Sequence, residues 1–250
     1  MEVHHHPDLH HRKKHFREYL LEFLMIFLAV TMGFFAETIR ERISEKHREK
    51  DYMIGLINNA QDDTTELQGL IGRNNSLLDG IDSLMSVSAG KFPDPRIQDS
   101  IYYYALKYTF ALHIFQFNDL TLVQLRNAGG YNLIKTDGVA DSIALYESKN
   151  NDIKILERFY VDDATQTWTA FRQVFNCTLG KRFFSADSAT NKIPSDFQVL
   201  ISSDREKFSI LLNDYWTFAG TVWEYNARLK AHREYLVKFI TFLKDKYDLN

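Results

Sequence analysis

The feature that most constrains this fold is an apolar run near the N-terminus, from Phe23 to Ala36, which carries no charged side chain. Glu22 and Glu37 bracket the run, and a tail rich in His, Lys and Arg precedes it. The helix of a soluble protein normally keeps one polar face, whereas the stretch from Phe23 to Val30 keeps none. The run is therefore typical of a membrane anchor that holds the rest of the chain on one side of a bilayer.

The length of the run determines how such an anchor crosses the bilayer. A helix rises about 1.5 Å per residue and the hydrocarbon layer is roughly 30 Å thick, so residues 23–36 alone are too short. Extending the helix back to Tyr19 gives a transmembrane helix over 19–36, roughly 27 Å long, which suffices with modest thinning or snorkelling. This extension places Glu22 one turn inside the membrane boundary.

A cleaved signal peptide is the main alternative, because it also has a basic region followed by a short apolar stretch. Cleavage requires small residues at the end of the run, whereas Phe34 and Phe35 occupy that end. We therefore expect the segment to be retained. The residues at its membrane boundaries are Glu22, Phe23, Ala36 and Glu37.

The orientation of the anchor depends on the Lys and Arg residues near its two ends. They are Arg12, Lys13, Lys14 and Arg17 before the run and Arg40, Arg42, Lys46, Arg48 and Lys50 after it. These numbers are too similar to decide the orientation. A long domain translocates largely regardless of charge, while a short basic tail stays in the cytoplasm. We therefore predict a cytoplasmic N-terminus, with the domain on the other side of the membrane.

Composition fits one folded domain behind this anchor. The chain has 250 residues, 45% of them hydrophobic, and a formal net charge of -3. About 200 residues follow the anchor, which is enough for one substantial core. Near-neutral charge without a long basic block argues against a nucleic-acid partner. The single cysteine, Cys177, excludes an intramolecular disulfide, and the small number of prolines and glycines favours long helices.

Heptad spacing predicts two long helices beyond the membrane. The chain begins with a His-rich basic tail over 1–18, which the transmembrane helix follows. A charged juxtamembrane helix over 37–52 then leads into a bundle domain over 53–250. The seam of the first long helix consists of Met53, Ile57, Ala60, Thr64, Leu67, Ile71, Asn74, Leu78, Ile81 and Met85. A buried Asn74 would fix the register, while partial exposure near the end of the bundle is the alternative.

The last helix has the most regular pattern of the chain. Its predicted seam consists of Phe208, Leu211, Tyr215, Phe218, Val222, Tyr225, Leu229, His232, Leu236, Phe239 and Leu243. Together the two seams predict an all-α fold, with one N-terminal transmembrane helix followed by an antiparallel helical bundle with long heptad-patterned helices.

Turn and cap signals divide the chain between these seams. Pro95 is predicted to open a second helix whose stripe runs from Ile97 to Phe115, and the Gly129-Gly130 pair to end a short connecting helix. The predicted cap residues are Asn118 for the short helix, Thr136 and Asp137 for a third long helix, and Ser203 with Glu206 for the last. The stretch 178–203 lacks periodicity and is predicted to be a long loop that carries a partner or ligand surface.

Histidines of the tail form the only arrangement that resembles a metal site. His11 and His15 are four residues apart, so on a helix they would share a face and bind a transition ion together. The alternative is a disordered tail whose imidazoles strengthen contact with anionic lipids at mildly acidic pH. His232, alone on its seam, is predicted to be a core residue with satisfied hydrogen bonds.

Two tryptophans and one carboxylate are further candidate functional residues. Trp216 and Trp223 lie seven residues apart beside the last seam, where they are predicted to widen the buried stripe and are candidates for an interaction surface. Glu22 is a candidate because proton-conducting stators place a carboxylate within such a helix. Pairing of Glu22 with Arg17 or Tyr19, with its head group snorkelling outward, is the favoured interpretation.

Catalytic motifs are missing from the sequence. It has no GxSxG nucleophile elbow, no HExxH motif, no Walker loop and no paired ExxH motifs. Cys177 would be a nucleophile only beside a histidine, and His113 and His232 are the two candidates in the domain. We therefore predict that the protein is not an enzyme and needs no cofactor.

The segment EYLLEFLMIFLAVTMGFFAETIRERI resembles a group of single-pass membrane proteins of Bacteroidota. In that group a basic tail leads into a short apolar helix that opens with Glu, followed by a charged exit and a helical domain of about this size. The resemblance is most specific from Phe16 to Ile43. It implies a bacterial inner membrane with the helical domain in the periplasm, and it supplies no catalytic residues because the group carries no established activity.

Three functional hypotheses follow from these features. The first is a membrane-anchored helical scaffold or protein-interaction protein of the envelope, whose partners are the lipid bilayer and either another envelope protein or a second copy of the chain. The second is a periplasmic small-molecule sensing bundle that acts through a partner. The third is a stator-like ion-coupling subunit that uses Glu22.

Overall fold

A computed structural model describes residues 16–89, 94–179 and 193–249, except for the side chains of residues 95, 96 and 179. These residues form five α-helices, namely α1 (Phe16–Ser88), α2 (Pro95–Thr109), α3 (Leu120–Asn127), α4 (Val139–Val174) and α5 (Arg205–Tyr247). Two short 3-10 helices span Gly130–Leu133 and Cys177–Leu179. The β-pairing among the described residues is one isolated bridge between Phe175 and Leu200. The predicted all-α fold is confirmed.

Helix α1 is a single helix of 73 residues that includes the predicted transmembrane, juxtamembrane and first bundle segments. The chain divides into two compact units, Met1–Asp51 and Tyr52–Asn250. The described part of the first unit consists of α1 alone, and almost all of its side chains are exposed. The second unit contains the hydrophobic core.

The seam of α5 is confirmed in full. All eleven predicted residues, from Phe208 to Leu243, are buried, and the adjacent Asn226 is buried with them. The eleven seam residues follow one another at steps of three and four positions, which is the spacing that keeps side chains on one face of a helix. The inner face of α5 therefore supplies a continuous stripe of the core.

The seam of α1 is confirmed at six of its ten predicted positions, including Ile57, and is shifted by one residue at the other four. Met53, Ala60, Leu67, Asn74 and Ile81 are buried as predicted. The remaining core positions are Leu56, Asp63, Leu70, Leu77 and Leu84, each one residue before the predicted one. Apolar residues stand side by side at most of these steps, so the sequence does not decide between them. Ile57 is buried beside Leu56, while Thr64, Ile71, Leu78 and Met85 are half-buried.

Polar contacts show that α5 runs antiparallel to α4. Gln166 Nε2 donates to Asp214 Oδ1 at 3.0 Å, and Tyr235 Oη donates to the Ser142 carbonyl at 3.2 Å. Higher residue numbers of α4 therefore face lower numbers of α5.

The bundle part of α1 also runs antiparallel to α5. Asn226 Nδ2 donates to Asn75 Oδ1 at 2.8 Å, and Arg233 donates to Gln68 Oε1 at 2.9 Å. The predicted antiparallel bundle is thus present within the second unit.

A non-helical segment over 111–119 crosses the bundle where the sequence predicted a helix as far as Phe115. Its backbone N–H groups are bound by side chains of three different helices. His113 N donates to Tyr160 Oη on α4 at 3.0 Å, and Phe115 N to Tyr225 Oη on α5 at 3.2 Å. Asn118 N donates to Asp63 Oδ1 on α1 at 2.9 Å. These acceptors replace the helical hydrogen bonds, which explains why the apolar stripe after Thr109 does not continue as a helix.

The helix caps differ from the predicted ones by one or two residues. The N-cap of α3 is Asp119 and that of α4 is Gly138, which has a φ of 78°. The N-cap of α5 is Asp204, whose carboxylate accepts a hydrogen bond from Glu206 N at 2.8 Å. The predicted capping box from Ser203 is therefore wrong, because Asp204 occupies that position. Pro95 opens α2 as predicted.

Candidate functional site

The apolar segment of α1 presents large side chains on every side of the helix. Phe23 is 64% exposed, and Phe34 is 72% exposed. Thr31 and Thr38 donate their hydroxyls to carbonyls of the preceding turn, at 2.7 and 2.9 Å, so these groups are satisfied without water. Within the described residues, α1 is the one helix long and apolar enough to cross a membrane.

The predicted membrane-boundary residues all lie on this helix. Phe23, Ala36 and Glu37 are exposed, and Glu22 is half-buried. Arg40 donates Nε and Nη2 to the two carboxylate oxygens of Glu37, at 2.9 and 2.5 Å. A charged pair thus stands directly after the apolar run.

A buried carboxylate, Asp63, fixes the non-helical segment to α1. Its side chain is almost fully buried and accepts hydrogen bonds from Asn118 N at 2.9 Å and from Tyr146 Oη at 3.3 Å. Burial raises the pKa of Asp63 to about 6, although both hydrogen bonds act in the opposite direction. Asn59, one turn earlier, accepts from Thr121 N at 3.2 Å. These two side chains position the start of α3.

His232 lies in the core without any hydrogen-bond partner. The residue is 4% exposed, and neither Nδ1 nor Nε2 has a partner in the structure. Aromatic rings surround it, with Phe117 at 5.7 Å and Tyr146 stacked at 6.5 Å between ring centroids. Burial, with a smaller effect of Lys149, lowers its pKa to about 4, so the imidazole is neutral at pH 7. His232 is a core residue as predicted, but the prediction that its hydrogen bonds are satisfied is wrong.

An open cleft of about 270 Å³ lies beside His232, between α4 and α5. Its lining combines apolar and charged side chains. They are Lys149, Asp152, Ile153, Ile155 and Leu156 of α4 and Arg228, Ala231 and His232 of α5. We refer to this site as the α4–α5 cleft.

The charged groups of the cleft are oriented by their neighbours. The Lys149 ammonium lies 5.0 Å from the centroid of the Tyr235 ring, and Arg228 Nε is 2.8 Å from Glu224 Oε1. Arg228 is thus paired with Glu224, and the lining of the cleft also contains the carboxylate of Asp152.

Trp216 and Trp223 lie on the outer face of α5. They are 72% and 65% exposed, so the prediction that they widen the buried stripe is wrong. Gly220 lies between them, and no atom stands within 4 Å of where its β-carbon would be. The two indoles are about 10 Å apart along the helix axis, given a rise of about 1.5 Å per residue.

In the described residues the side-chain hydrogen bond of Cys177 goes to a backbone carbonyl and not to His113 or His232. Burial raises the pKa of the Cys177 thiol, which disfavours the nucleophilic thiolate, and its Sγ lies 3.8 Å from the Phe175 carbonyl oxygen. His11 and His15 lie outside the described residues. Over 16–89, 94–179 and 193–249 there is no group of three or more His, Cys, Asp or Glu residues that would hold a metal ion.

Sequence reasoning missed the buried carboxylate of Asp63. Asp63 lies three residues after Ala60 and four before Leu67, which is a seam position, and this spacing is the one signal that would have found it. Asn74 is fully buried and both atoms of its amide lack a partner, so the alternative of partial exposure is wrong. The sequence gives no pattern that predicts the lining residues of the cleft, because these residues come together only when α4 packs against α5.

The chain matches no protein-family model, and comparisons with curated proteins and with solved structures found no significant match. What the protein does must therefore follow from its own residues and contacts. The exposed apolar surfaces among the described residues include the apolar segment of α1 and the two tryptophans on the outer face of α5.

Proposed function

We propose that this chain is a membrane-anchored scaffold of the bacterial envelope, whose bundle binds another envelope protein or a second copy of itself. The observation that carries this proposal is the exposure of Trp216 and Trp223 on the outer face of α5. Tryptophan is enriched among the residues that dominate binding energy at protein interfaces. Two exposed indoles on one face of a long helix are therefore suited to a partner.

The spacing of the outer face of α5 supports a helical partner. Asn213, Trp216, Gly220, Trp223 and Ala227 are all exposed and follow one another in steps of three and four. This is the heptad spacing of a coiled-coil seam, and it lies on the side of α5 opposite the filled inner seam. The small residues Gly220 and Ala227 leave room beside the indoles for the side chains of a second helix.

The membrane part of the proposal rests on the apolar segment of α1. We propose that residues 19–36 cross the inner membrane once, with the N-terminus in the cytoplasm and the bundle in the periplasm. The exposed apolar surface of this segment and its internally bonded threonines suit a lipid environment. The bacterial envelope comes from the resemblance of the segment to single-pass proteins of Bacteroidota.

The scaffold role is tested by purifying the tagged full chain from native membranes after in-cell cross-linking. We expect a partner, or a differently tagged second copy, to co-purify at about one to one. Replacing both Trp216 and Trp223 with alanine should lower this yield at least tenfold, since each hot-spot residue contributes about 2 kcal/mol or more.

The matched control for that experiment is Phe159→Ala, which removes a 60% exposed aromatic side chain from α4. It should leave the yield unchanged. Equal yields from the wild type and the double tryptophan variant would refute the proposal, as would the absence of any partner at comparable amount.

The orientation is tested separately with a membrane-impermeant maleimide. Ser209 is exposed on α5, so Ser209→Cys in a Cys177→Ser background places one accessible thiol on the bundle. We expect labelling after the outer membrane is opened and before the inner membrane is permeabilised. Labelling only after inner-membrane permeabilisation would reverse the proposed orientation and leave the scaffold role intact.

A further inference from the structure

We infer that the partner of the outer face of α5 is a helix of another envelope protein, which carries Lys or Arg beside its apolar seam. Those cations contact Asp79 and Asp82 of α1, which border Trp216 and Trp223. The inference rests on the proposed scaffold role and specifies the chemistry of its partner.

Two contacts show which face of α1 borders α5. Asn75 Oδ1 accepts a hydrogen bond from Asn226 at 2.8 Å, and Gln68 Oε1 accepts one from Arg233 at 2.9 Å. The two contacts lie seven residues apart on both helices, so the helices stay in step over two turns. The same face of α1 therefore returns to α5 at every seventh residue.

Asp82 is the next position on this face. It lies seven residues after Asn75, and the matching step along α5 ends at Ala219. Ala219 stands three residues after Trp216 and four before Trp223. Measured along the helix axis, Asp82 is therefore within about 6 Å of the level of each indole.

Asp79 extends this acidic edge by one turn of α1. It lies four residues after Asn75, so it shares the face that borders α5. Both carboxylates are exposed, as are both indoles. We refer to the surface of Asp79, Asp82, Trp216 and Trp223 as the Trp–Asp face.

The charged residues of α5 beside this face have partners of their own. Asp214 Oδ1 accepts a hydrogen bond from Gln166 of α4 at 3.0 Å, and Glu224 is paired with Arg228 at 2.8 Å. The two carboxylates of α1 therefore determine the sign of the charge that the Trp–Asp face presents to a partner.

A cation on the partner suits both kinds of side chain on the Trp–Asp face. Lys and Arg are attracted to the face of an indole, for which tryptophan is the best aromatic residue, and they also pair with carboxylates. The heptad spacing of the outer face of α5 already favours a helical partner. Lys or Arg at the edge of such a helix would contact Asp79 and Asp82 while its apolar seam covers the indoles.

A second copy of the chain does not supply this charge. A symmetric contact uses the same patch on both copies, so each residue of the patch meets only residues of that patch. The exposed row of Asn213, Trp216, Gly220, Trp223 and Ala227 is uncharged, and the bordering residues of α1 are acidic. Self-association would therefore leave both carboxylates without a cation, which favours a different protein as the partner.

The test repeats the in-cell cross-linking and purification of the full chain, with Asp79→Lys and Asp82→Lys combined. We expect this pair to lower the yield of the partner at least tenfold, because attraction becomes repulsion at two positions. The milder pair, Asp79→Asn and Asp82→Asn, should lower it about fivefold, since it removes two exposed ion pairs without adding repulsion. It also decides the question if the lysine pair unfolds the bundle. A differently tagged second copy should not co-purify.

The matched control combines Glu66→Lys and Asp162→Lys, which reverses two exposed carboxylates outside the Trp–Asp face. Glu66 lies two residues before Gln68 and thus on the far side of α1, while Asp162 lies on α4. The change in net charge is the same as in the lysine pair of the test. The yield of the partner should be unchanged.

Salt dependence separates a contact between charges from a structural effect of the substitutions. The complex is purified in mild detergent without cross-linking, at about 0.05 M and about 0.5 M salt. The higher salt should lower the wild-type yield at least fivefold, because it screens exposed charges. The asparagine pair should lose this dependence, since its Trp–Asp face carries no charge.

Three results would each overturn the inference. They are an unchanged yield in both aspartate pairs, a salt dependence that persists in the asparagine pair, and recovery of a second copy as the partner. The tryptophan variant distinguishes the two proposals. If it lowers the yield while the aspartate pairs do not, the scaffold role stands and the basic partner is refuted. If no partner co-purifies at all, both are refuted.

Discussion

The apolar segment of α1 and the inner seam of α5 are both rich in Phe and Leu, yet they end in opposite environments. The segment over 23–36 is exposed nearly all around the helix, whereas α5 buries one stripe and exposes the rest. The difference lies in periodicity. Apolar residues at every position suit a helix that is surrounded by lipid on all sides. Apolar residues at steps of three and four suit a helix that packs one face against other helices of a protein.

The largest expected difference between these two regions comes from the same substitution made in each. Phe218 is fully buried and stacked on Tyr160 at 5.5 Å between centroids, so Phe218→Ala should lower the free energy of unfolding of the bundle by about 3–5 kcal/mol. Phe34→Ala removes an exposed ring and should change that free energy by less than about 0.5 kcal/mol. Urea unfolding of both variants in nanodiscs measures the two values. Similar losses would contradict the proposed division of roles.

A charge placed in the middle of the apolar segment should affect membrane insertion and spare the bundle. Arginine at the centre of a membrane helix costs about 3 kcal/mol on insertion scales, so Leu28→Arg should move much of the protein out of the membrane fraction. Leu28→Ile is the conservative control. The measurement is the amount resisting carbonate extraction, and full retention of the arginine variant in the membrane would count against the anchor.

The pH dependence of bundle stability should come from two buried groups with opposite effects. Asp63 has a folded pKa of about 6 against an ordinary 3.8, so it favours folding at low pH and loses this contribution as the pH rises from 3.8 to 6. His232 has a folded pKa of about 4 against an ordinary 6.5, so stability falls as the pH drops from 6.5 to 4. The two slopes largely cancel in the wild type.

Substitution of Asp63 should expose this cancellation. Asp63→Asn keeps an acceptor for Asn118 N and removes the buried charge, so it should raise the free energy of unfolding at pH 7 by about 2 kcal/mol. In this variant the stability should still fall below pH 6.5, because His232 still has to be protonated on unfolding. Thermal unfolding from pH 4 to 8, compared with Glu66→Gln as a control for a nearby exposed carboxylate, checks both statements. A flat profile for Asp63→Asn would show that His232 does not titrate as described.

The smallest expected effect comes from two glycines of the same helix. A β-carbon at Gly80 would lie about 2 Å from the Tyr108 ring, at 2.0 Å from Cζ, so Gly80→Ala should displace that ring. The gain in helix propensity offsets part of the loss, leaving a net destabilisation of about 1 kcal/mol. Gly33→Ala meets no atom within 4 Å and should leave bundle stability unchanged. The denaturant midpoints of the two variants measure this difference in stability. Equal midpoints would contradict it.

Periodicity predicted well what it encodes directly, the buried face of a helix. The seam of α5 was found in full because its steps of three and four run unbroken from Phe208 to Leu243, even though apolar residues such as Leu212 adjoin it. The seam of α1 was misassigned at four positions, at three of which two apolar residues such as Leu70 and Ile71 stand side by side. At the remaining step the true core residue is the charged Asp63, which hydrophobicity excludes.

The features that escaped prediction depend on contacts between helices. The chain leaves the helical path after Thr109 because Tyr160, Tyr225 and Asp63 offer acceptors to its backbone, and all three lie far away in sequence. The position of His232 on its seam was predicted, but its lack of partners was not. Lys149 and Arg228 become neighbours only through the packing of α4 against α5.

The non-helical segment that crosses the bundle carries its own kinetic reporter. The amide protons of His113, Phe115 and Asn118 are each held by a side chain from a different helix, α4, α5 and α1 respectively. Each can exchange with solvent deuterium only when the segment separates from that helix. The three hydrogen-exchange rates would therefore report how often the segment separates from each of the three helices. The measurement uses the intact protein and needs no added label.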